Sequence, residues 1–600
     1  MIAHGLDHFR YEHLQKLWGY KDQDSQQLEF RLLYTKLINK IICADIPPDI
    51  RSLLSNSEAF AIPKGDNDIR PLGKINLDRK VAAICILQLN NPTIRSNFKD
   101  VQLGCDHHGT ERIVHSVRTC MEINPEFDCF FPDAEKAFNY SSRKHGLYET
   151  LKRVPTMFPF LSMIYGENSK AWFFGRQDGI SAINSQEGSQ QGCTLGNFLC
   201  AMAFLPLLLG VLGIMGSVGG YCKFFVDDGN LCAPFAKMLE TITFIQQEGP
   251  HYGYVMHLGK GTYLLGRCGS MAIAWERRLR LIEFGIDPNI IKIHPDDYFD
   301  ANRDQLIELG YEVDIVSYHE IKMNVLKGYG AKVLGSYVGS DEYIKSNLLV
   351  KAEKLYAEAS LLIEYPDLQE RFHLFRWCFN EKINYLLRTI PPELTEELAF
   401  NFNLIKKRII CSIIDQFTPE ILPEWLWVQC CLSINDGGLG LKDSVSVAYS
   451  AFVGSVIDCL PTCEEVCPNL LELNNCCITS LNNSIAYINN YCLNQDNGVN
   501  LNIASLRAQR LVSNNSTGLQ HYLTDMIENS TRKTFIETLD SKHLGWFSSV
   551  SNEMTSRWLS VLPKCPSFTF DSSSFQILLC NSINLHHEVS NTIKELVNAA

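Results

Sequence analysis

The run from Phe198 to Val218, FLCAMAFLPLLLGVLGIMGSV, constrains the fold most strongly, because it contains no charged residue. It is long enough to span a bilayer. However, it is interrupted by Pro206 and three glycines, and no cluster of Lys or Arg marks a cytoplasmic flank. The run also lies between two polar motifs that would need to meet in one site. We therefore predict a helix buried in a protein core, and no membrane partner.

The length of 600 residues exceeds what one compact core accommodates, so three or four subdomains are expected. Hydrophobic residues make up 46% of the chain and the mean hydropathy is −0.06, which is typical of a soluble folded protein. The first residues, MIAHGLDHFRYEHLQ, contain no basic segment followed by an apolar core, so no signal peptide is predicted. With 22 scattered cysteines, we expect reduced thiols and an intracellular location, nucleus or cytoplasm, without secretion.

The net charge of −13 at first disfavours a nucleic-acid partner. Only the groove that follows the phosphates has to be positive, so the location of the charges matters more than their sum. Lys and Arg cluster in the first hundred residues and again between Lys345 and Arg408, whereas residues 451–600 are net acidic. The total charge therefore decides neither for nor against nucleic acid.

Periodicity divides the chain into four predicted parts. These are a helical N-terminal segment at 1–55, an α/β (α+β) core at 56–345 with an insertion at about 268–328, a helical and fairly basic part at 346–450, and a mostly helical C-terminal region of unknown role at 451–600. Within the insertion, Asp296, Asp297 and Asp300 are predicted to form a solvated turn.

Two acidic motifs follow apolar, strand-like runs. One is Asp133 in FFPDAEKAFN, and the other is the pair Asp227 and Asp228 in YCKFFVDDGN, where we predict a tight turn with Gly229 and a second strand that begins at Leu231. Each motif alone also suits a harmless cap or turn. A divalent cation would make adjacent carboxylates useful, because Mg²⁺ prefers carboxylate oxygens. Neighbouring strand residues point to opposite faces, so Asp227 is expected to share metal with Asp133, and Asp228 to support them.

Two loops accompany these motifs. The segment SQEGSQQGCTLG contains Gln191 and Gly192, which offer a donor, an acceptor and close backbone approach to a ligand. The segment GPHYGYVMHLGKGT places Lys260 after the Asp pair. Each is a loop with a polar residue, a common combination, and Lys260 suits a solvated surface equally well.

The order of these segments resembles motifs A, B, C and D of reverse transcriptases of the eukaryotic non-LTR retrotransposon type. Further segments match in the same order: KGDNDIRPL with Lys64 and Arg70, Asp78-Arg79-Lys80, Gln102-Leu-Gly104, Gly109-Thr-Glu111, Val333-Leu334-Gly335-Ser336, Asn384 to Thr389, and Gln429 with Gly437 to Gly440. The resemblance covers most of residues 1–450.

This resemblance implies a polymerase right hand, with fingers and palm at 56–345, an antiparallel palm sheet and a helical thumb at 346–450. It implies an RNA-directed DNA polymerase that uses an RNA template, a DNA primer, deoxynucleoside triphosphates and two Mg²⁺ or Mn²⁺ ions. The implied roles are metal binding and catalysis for Asp133, Asp227 and Asp228, nucleotide binding for Lys64, Arg70, Ala134, Phe138, Gln191 and Gly192, proton donation for Lys260, and a primer grip at Leu334 and Gly335.

Phe138 separates the polymerase classes. By resemblance it is a steric gate beneath the sugar, and its ring cannot accept a hydrogen bond from a ribose 2′-hydroxyl. The product is therefore expected to be DNA, which disfavours an RNA polymerase, although Phe138 also suits a plain core position. Cys193 stands where relatives commonly have Asp, and Phe225 where they often have Tyr. A non-catalytic scaffold that keeps the fold and binds nucleic acid or protein remains the alternative.

Overall fold

The computed structural model describes residues 9–18, 25–64, 68–166, 169–174, 179–300, 307, 324–473, 475–492, 500–512, 518–551, 557–560, 569–583 and 585. The contacts divide the chain into two compact units. Unit 1 comprises Met1–Ile113 and Asn124–Ile315, and unit 2 comprises Val114–Ile123 and Val316–Ala600. This division is coarser than the predicted four parts, whose boundaries at 55, 345 and 450 stay predictions.

The described residues of unit 1 form two sheets, and the predicted mixed α/β fold with antiparallel pairing is confirmed. The larger sheet has the strand order β6-β7-β3-β8-β9, antiparallel except for β8 with β9. The smaller sheet has the order β2-β1-β4-β5. The strands are Ser57–Lys64 (β1), Asp68–Lys74 (β2), Asp128–Ala134 (β3), Ser169–Phe174 (β4), Ile180–Ser185 (β5), Tyr221–Phe225 (β6), Asp228–Ala233 (β7), Met256–Leu264 (β8) and Ile291–Lys292 (β9).

Helices cover these sheets. They are Tyr11–Trp18 (α1), Ser25–Ile42 (α2), Pro48–Ser55 (α3), Leu77–Phe98 (α4), Gly109–Ile123 (α5, which contributes to both units), Ala137–Tyr140 (α6), Arg143–Arg153 (α7), Phe158–Tyr165 (α8), Gly196–Gly216 (α9), Phe235–Tyr252 (α10) and Met271–Glu283 (α11). Strands β1 and β2 pair in antiparallel fashion as far as Lys64 with Asp68.

The uncharged run forms α9, which lies in the core of unit 1. Gly210 allows α9 to pack closely against α10, because a Cβ at this position would come within 2.4 Å of the Phe244 ring on α10. On α7, a Cβ at Gly146 would come within 2.7 Å of Leu199. Among the described residues, two helices are long and apolar enough to cross a membrane, Gly196–Gly216 and Ser444–Val466. In the most apolar stretch of each helix, 67% and 72%, respectively, is buried inside the protein.

In its described part, unit 2 is mostly helical and contains one β-hairpin. The hairpin consists of Gly330–Val333 (β10) and Ser336–Gly339 (β11). The helices that follow are Asp341–Ile363 (α12), Leu368–Leu374 (α13), Asn384–Thr389 (α14), Pro392–Ile414 (α15), Glu424–Cys431 (α16), Ser444–Val466 (α17), Cys476–Tyr491 (α18), Ile503–Val512 (α19), Leu519–Thr538 (α20), Ser541–Val550 (α21) and Ser572–Ser582 (α22).

The prediction of a solvated acidic turn is wrong for Asp297. Its side chain is buried and accepts hydrogen bonds from the backbone N–H groups of Cys268 and Gly269, both at 2.8 Å. Asp297 therefore stabilises the chain where it leaves β8, a role that its sequence neighbourhood does not reveal. Asp296 is exposed, as expected.

Asp128 begins β3 and is fully buried. Its Oδ2 accepts a hydrogen bond from the Tyr263 hydroxyl at 2.6 Å, and its Oδ1 accepts one from the Gly266 N–H at 2.8 Å. Burial outweighs these hydrogen bonds and raises the pKa of Asp128 to about 6. Because the folded state favours the protonated acid, the contribution of Asp128 to stability is complete below its ordinary pKa of 3.8 and is lost as the pH rises through about 6.

We expect Asp128→Asn, which resembles the neutral acid, to weaken the pH dependence of stability. Between pH 4 and pH 7.5 the free energy of unfolding of the wild type should fall further than that of the variant, by on the order of 2 kcal/mol. Chemical denaturation at several pH values measures this difference. Glu283→Gln, at an exposed carboxylate, is the matched control. Parallel pH profiles for wild type and Asp128→Asn would contradict the assignment.

Candidate active site

One cavity of about 530 Å³ in unit 1 is lined by residues from both sheets. It contains ten of the residues predicted from the sequence: Lys64, Arg70, Asp133, Ala134, Phe138, Gln191, Gly192, Asp227, Asp228 and Lys260. These residues come from segments that are far apart in the chain, and the fold brings them to one place.

Asp133 lies at the end of β3, where the pairing with β8 changes register. Pro132 pairs with Gly261, but Asp133 pairs with His257, so the intervening residues of β8, among them Lys260, bulge out of the ladder. Directly opposite residues of an antiparallel pair have side chains on the same face. The bulge therefore places the side chains of Asp133 and His257 on one face, and both line the cavity.

The Asp227–Asp228 hairpin has a tighter turn than the sequence suggests. Phe225 pairs with Asp228, so the turn consists of Val226 and Asp227 alone. The predicted second strand therefore begins at Asp228, not at Leu231. Gly229 pairs with Phe224 inside this strand. A Cβ there would come within 2.8 Å of the Phe224 ring and of Pro132, so the position requires a glycine.

The carboxylates of the cavity act on one another. Burial, together with the carboxylates of Asp228 and Asp133, raises the pKa of Asp227 to about 7, and Arg70 acts in the opposite direction. Desolvation and the charge of Asp133 also raise the pKa of Asp228. Tyr254 donates a hydrogen bond to the backbone carbonyl of Asp227 at 3.2 Å. The three carboxylates therefore form a site of concentrated negative charge.

Two cations of the smaller sheet line the same cavity. Arg70 pairs with Ile62 across β1 and β2, and Lys64 is the last residue of β1. Both side chains are exposed, so they are available to a ligand. Lys260 is also exposed. The cavity thus combines carboxylates with separate cationic side chains, an arrangement that suits a ligand with several phosphates and its metal ions.

The Gly188–Gly192 loop is held by hydrogen bonds to its backbone. The Ser189 N–H donates to the Phe138 carbonyl at 2.7 Å, and the Gly73 N–H donates to the Gln191 carbonyl at 2.7 Å. Arg143 donates through Nε to the Gly188 carbonyl at 2.6 Å.

Two glycines of this loop fit only without a side chain. At Gly188, a Cβ would lie 2.4 Å from the Phe138 carbonyl oxygen, and at Gly192 it would lie 2.6 Å from the Gly73 carbonyl oxygen. Both glycines have positive φ, of 70° and 92°. Backbone contacts thus fix the loop between Phe138 and the smaller sheet.

Three oxygen-donating carboxylates facing one cavity are the ligand type that Mg²⁺ prefers. The raised pKa of Asp227 indicates that the protein alone leaves this charge incompletely compensated, which a divalent cation would correct. Within the described part of the chain, however, no group of three or more His, Cys, Asp or Glu side chains surrounds a single metal position. A bound Mg²⁺ would therefore take one or two ligands from the protein and the others from water or phosphate.

Leu334 and Gly335 belong to unit 2, outside this cavity. They form the two-residue turn between β10 and β11, with φ angles of 48° and 90°. The Tyr385 hydroxyl donates a hydrogen bond to the Leu334 carbonyl at 3.0 Å and supports the turn.

The cavity-lining residues that sequence reasoning missed include Asn139, Asn197 and His257. Asn139 follows the predicted gate Phe138 directly, so its neighbourhood was a usable signal. Asn197 is the second residue of α9, and its place depends on how that helix packs. His257 required knowledge of the register between β3 and β8, which the sequence does not contain.

Comparisons with known proteins add little to the site. No family model and no curated protein matches the chain. Solved structures that resemble it include telomerase from Candida tropicalis, with 9% identity over 74% of this chain and 67% of that one and a TM-score of 0.37. Telomerase from Candida albicans with a fragment of telomeric RNA gives 9% identity, the same coverages and a TM-score of 0.36.

A Candida tropicalis telomerase that lacks its C-terminal domain has 12% identity over 42% of this chain, and the chain spans 59% of its length, with a TM-score of 0.29. TM-scores this low do not establish a common fold. The function proposed below therefore rests on the side chains of the cavity.

Asp227→Asn should stabilise the protein at alkaline pH when a chelator removes divalent ions. The folded pKa of Asp227 is raised from 3.8 to about 7, so its contribution to stability is lost as the pH rises through 7. At pH 8 we expect the variant to exceed the wild type by on the order of 1–2 kcal/mol, allowing for solvent screening, and by less at pH 5. Chemical denaturation measures this.

The control for this experiment is Asp100→Asn, at an exposed carboxylate outside the cavity. If both variants shifted stability equally at pH 8, the burial of Asp227 and its repulsion by the other cavity carboxylates would not be the cause.

Proposed function

We propose that the chain is an RNA-directed DNA polymerase that extends a primer 3′-hydroxyl with deoxynucleotides, from a retrotransposon or a copy derived from one. The observation that supports this most is the single cavity shared by Asp133, Asp227 and Asp228 with the cations Lys64 and Arg70. Its volume of about 530 Å³ falls in the range of small-ligand sites, roughly 300–1,000 Å³.

In this proposal the primer oxygen attacks the α-phosphorus of the nucleotide, the bond to the bridging oxygen breaks, and pyrophosphate leaves. Two Mg²⁺ or Mn²⁺ ions, when bound, stabilise the attacking and leaving oxygens. Asp133 and Asp227 would hold them, with Asp228 beside them. Lys64 and Arg70 attract the triphosphate and oppose the charge that develops on pyrophosphate. Lys260 donates a proton to the leaving group.

The neutral residues of the cavity select and orient the nucleotide. Gln191 and Gly192 form the floor beneath the base, on the loop fixed by backbone hydrogen bonds. Ala134, which is small and buried, leaves room for the sugar and phosphates. Phe138 is partly buried against the core of unit 1, so its ring has little freedom to move away from a ribose 2′-hydroxyl.

The same proposal assigns the parts of a polymerase right hand. The smaller sheet and its helices act as fingers, the larger sheet as palm, and residues 346–450 as the helical thumb. Leu334 and Gly335 form the primer grip. The partners are an RNA template, a DNA primer and deoxynucleoside triphosphates, in the nucleus or cytoplasm.

A primer-extension assay tests this function. On an RNA template with Mg²⁺ or Mn²⁺, the wild type is expected to incorporate deoxynucleotides, and Asp133→Asn or Asp227→Ala should lower the rate at least about 100–1,000-fold, because each removes a group that stabilises the transition state. Asp100→Asn is the matched control with normal activity. Template binding without incorporation would favour the non-catalytic scaffold, and incorporation that survives Asp227→Ala would contradict the site.

Phe138→Ala tests the choice of sugar. Removal of the ring should weaken extension with deoxynucleotides and improve the use of ribonucleotides, so that the ratio of kcat/KM values changes by roughly 10–100-fold toward ribonucleotides. Steady-state single-nucleotide incorporation measures both values. Unchanged discrimination would mean that Phe138 is only a core residue, and a wild type that prefers ribonucleotides would contradict the DNA product.

A further inference from the structure

The turn that presents Asp227 has an unfavourable backbone conformation. Val226, the residue before Asp227, has φ of 60°. A β-branched residue rarely adopts this left-handed conformation, because its branched side chain collides with the backbone. Val226 also contributes a side chain that is 3% exposed to the core of unit 1. The conformation therefore requires support from the surrounding structure.

Gln102 supplies that support through its side-chain amide. Its Nε2 donates a hydrogen bond to the Val226 carbonyl at 2.9 Å. Its Oε1 accepts hydrogen bonds from the Val226 N–H at 2.7 Å and from the Gly104 N–H at 2.8 Å. Gln102 is 1% exposed, so water does not compete for these groups. One amide thus satisfies both backbone groups of the strained residue.

The segment around Gln102 is itself attached to β6. The Leu103 N–H donates to the Phe224 carbonyl at 2.8 Å, and the Phe224 N–H donates to the Val101 carbonyl at 2.7 Å. Gly104 permits the close approach, since a Cβ there would lie 2.6 Å from Cγ2 of Val226. The amide is therefore presented to the turn from a rigid support.

On the other side of Val226, the turn is held through Asp227. Tyr254, which is fully buried, donates its hydroxyl hydrogen bond to the Asp227 carbonyl at 3.2 Å. The backbone of both turn residues is thus hydrogen-bonded to side chains from distant segments, and the Asp227 carboxylate is left to face the cavity.

We propose that Gln102 is a positioning residue for catalysis, which holds Val226 in its left-handed conformation and thereby directs the Asp227 carboxylate into the cavity. This inference rests on the proposed function, to which it adds a residue outside the cavity. Gln102 touches neither substrate nor metal in this account. Its loss should misplace Asp227 while the contacts of Lys64, Arg70 and Gln191 with the nucleotide remain.

The test uses Gln102→Met, which keeps the length of the side chain and removes all three hydrogen bonds. In primer extension, kcat should fall about 100-fold, the effect expected when a catalytic group is misplaced by about 1 Å, with KM for the nucleotide changed less than about threefold. The control is Gln369→Met, at a glutamine of unit 2 that is equally buried, at 1% exposure, and that accepts a backbone hydrogen bond from Phe570 at 2.9 Å. This control should lose stability and keep its kcat.

A second variant separates positioning from general damage. Glycine adopts positive φ without strain, so adding Val226→Gly to Gln102→Met should restore kcat by about tenfold. A double variant no more active than Gln102→Met would overturn the proposal. So would a loss of kcat in Gln102→Met no larger than that in Gln369→Met.

Amide hydrogen exchange tests the same contact without any activity. In peptides that cover Tyr221–Ala233, exchange at the Val226 N–H should accelerate at least about tenfold in Gln102→Met and stay unchanged in Gln369→Met. Equal protection in wild type and Gln102→Met would overturn the proposal. If exchange at the Val226 N–H accelerates in Gln102→Met but the wild type extends no primer, only the proposed function is contradicted.

Discussion

Burial and mutual repulsion of the carboxylates of Asp133, Asp227 and Asp228 are what the backbone around the candidate site has to withstand. Three carboxylates share one partly desolvated cavity, and the pKa of Asp227 rises to about 7 as a result. Such a cluster persists only if the backbone beneath it is held firmly. Strand β3 is fixed between two antiparallel neighbours, and the β6–β7 turn is held from both sides by Gln102 and Tyr254.

Two cations of the cavity, Lys64 and Arg70, lie on a different sheet from the carboxylates. Arg70 opposes the charge of Asp227, but it lies on the β1–β2 hairpin and not on the strands that bear the aspartates. Fixed salt bridges would have neutralised the carboxylates and blocked them. Separation leaves both charges available to a ligand that carries phosphates and metal ions, which is the chemistry of the proposed polymerase.

Much of this site was predictable, because chemistry and local pattern coincide there. Asp133 and the Asp pair each follow an apolar run, and these runs are strands β3 and β6. The turn was placed wrongly because Gly229 and Asn230 favour turns, whereas Val226 disfavours one. Tertiary contacts overrode both preferences. Hydrogen bonds from Gln102 stabilise the unfavourable backbone conformation of Val226, and the close approach of Pro132 requires a glycine at position 229 inside the strand.

Asp297 and His257 show the same limit. Asp297 looked solvated because its sequence neighbours are polar, yet it accepts two backbone hydrogen bonds from residues almost thirty positions earlier in the chain. His257 enters the cavity through a register change between two strands, which depends on both strands at once. Local composition cannot report a partner that is distant in sequence.

The sequence by itself determined that one helix must be buried, since the run from Phe198 to Val218 has no charged residue and so is poorly suited to a water-exposed surface. It also determined the order along the chain of the acidic, amide and basic side chains that can bind metal ions and phosphates. Only the tertiary structure decided that they share one cavity and how Asp227 is aimed. Strand register, the left-handed Val226 and its contact with Gln102 arise from residues more than a hundred positions apart, and only folding brings such residues within hydrogen-bonding distance.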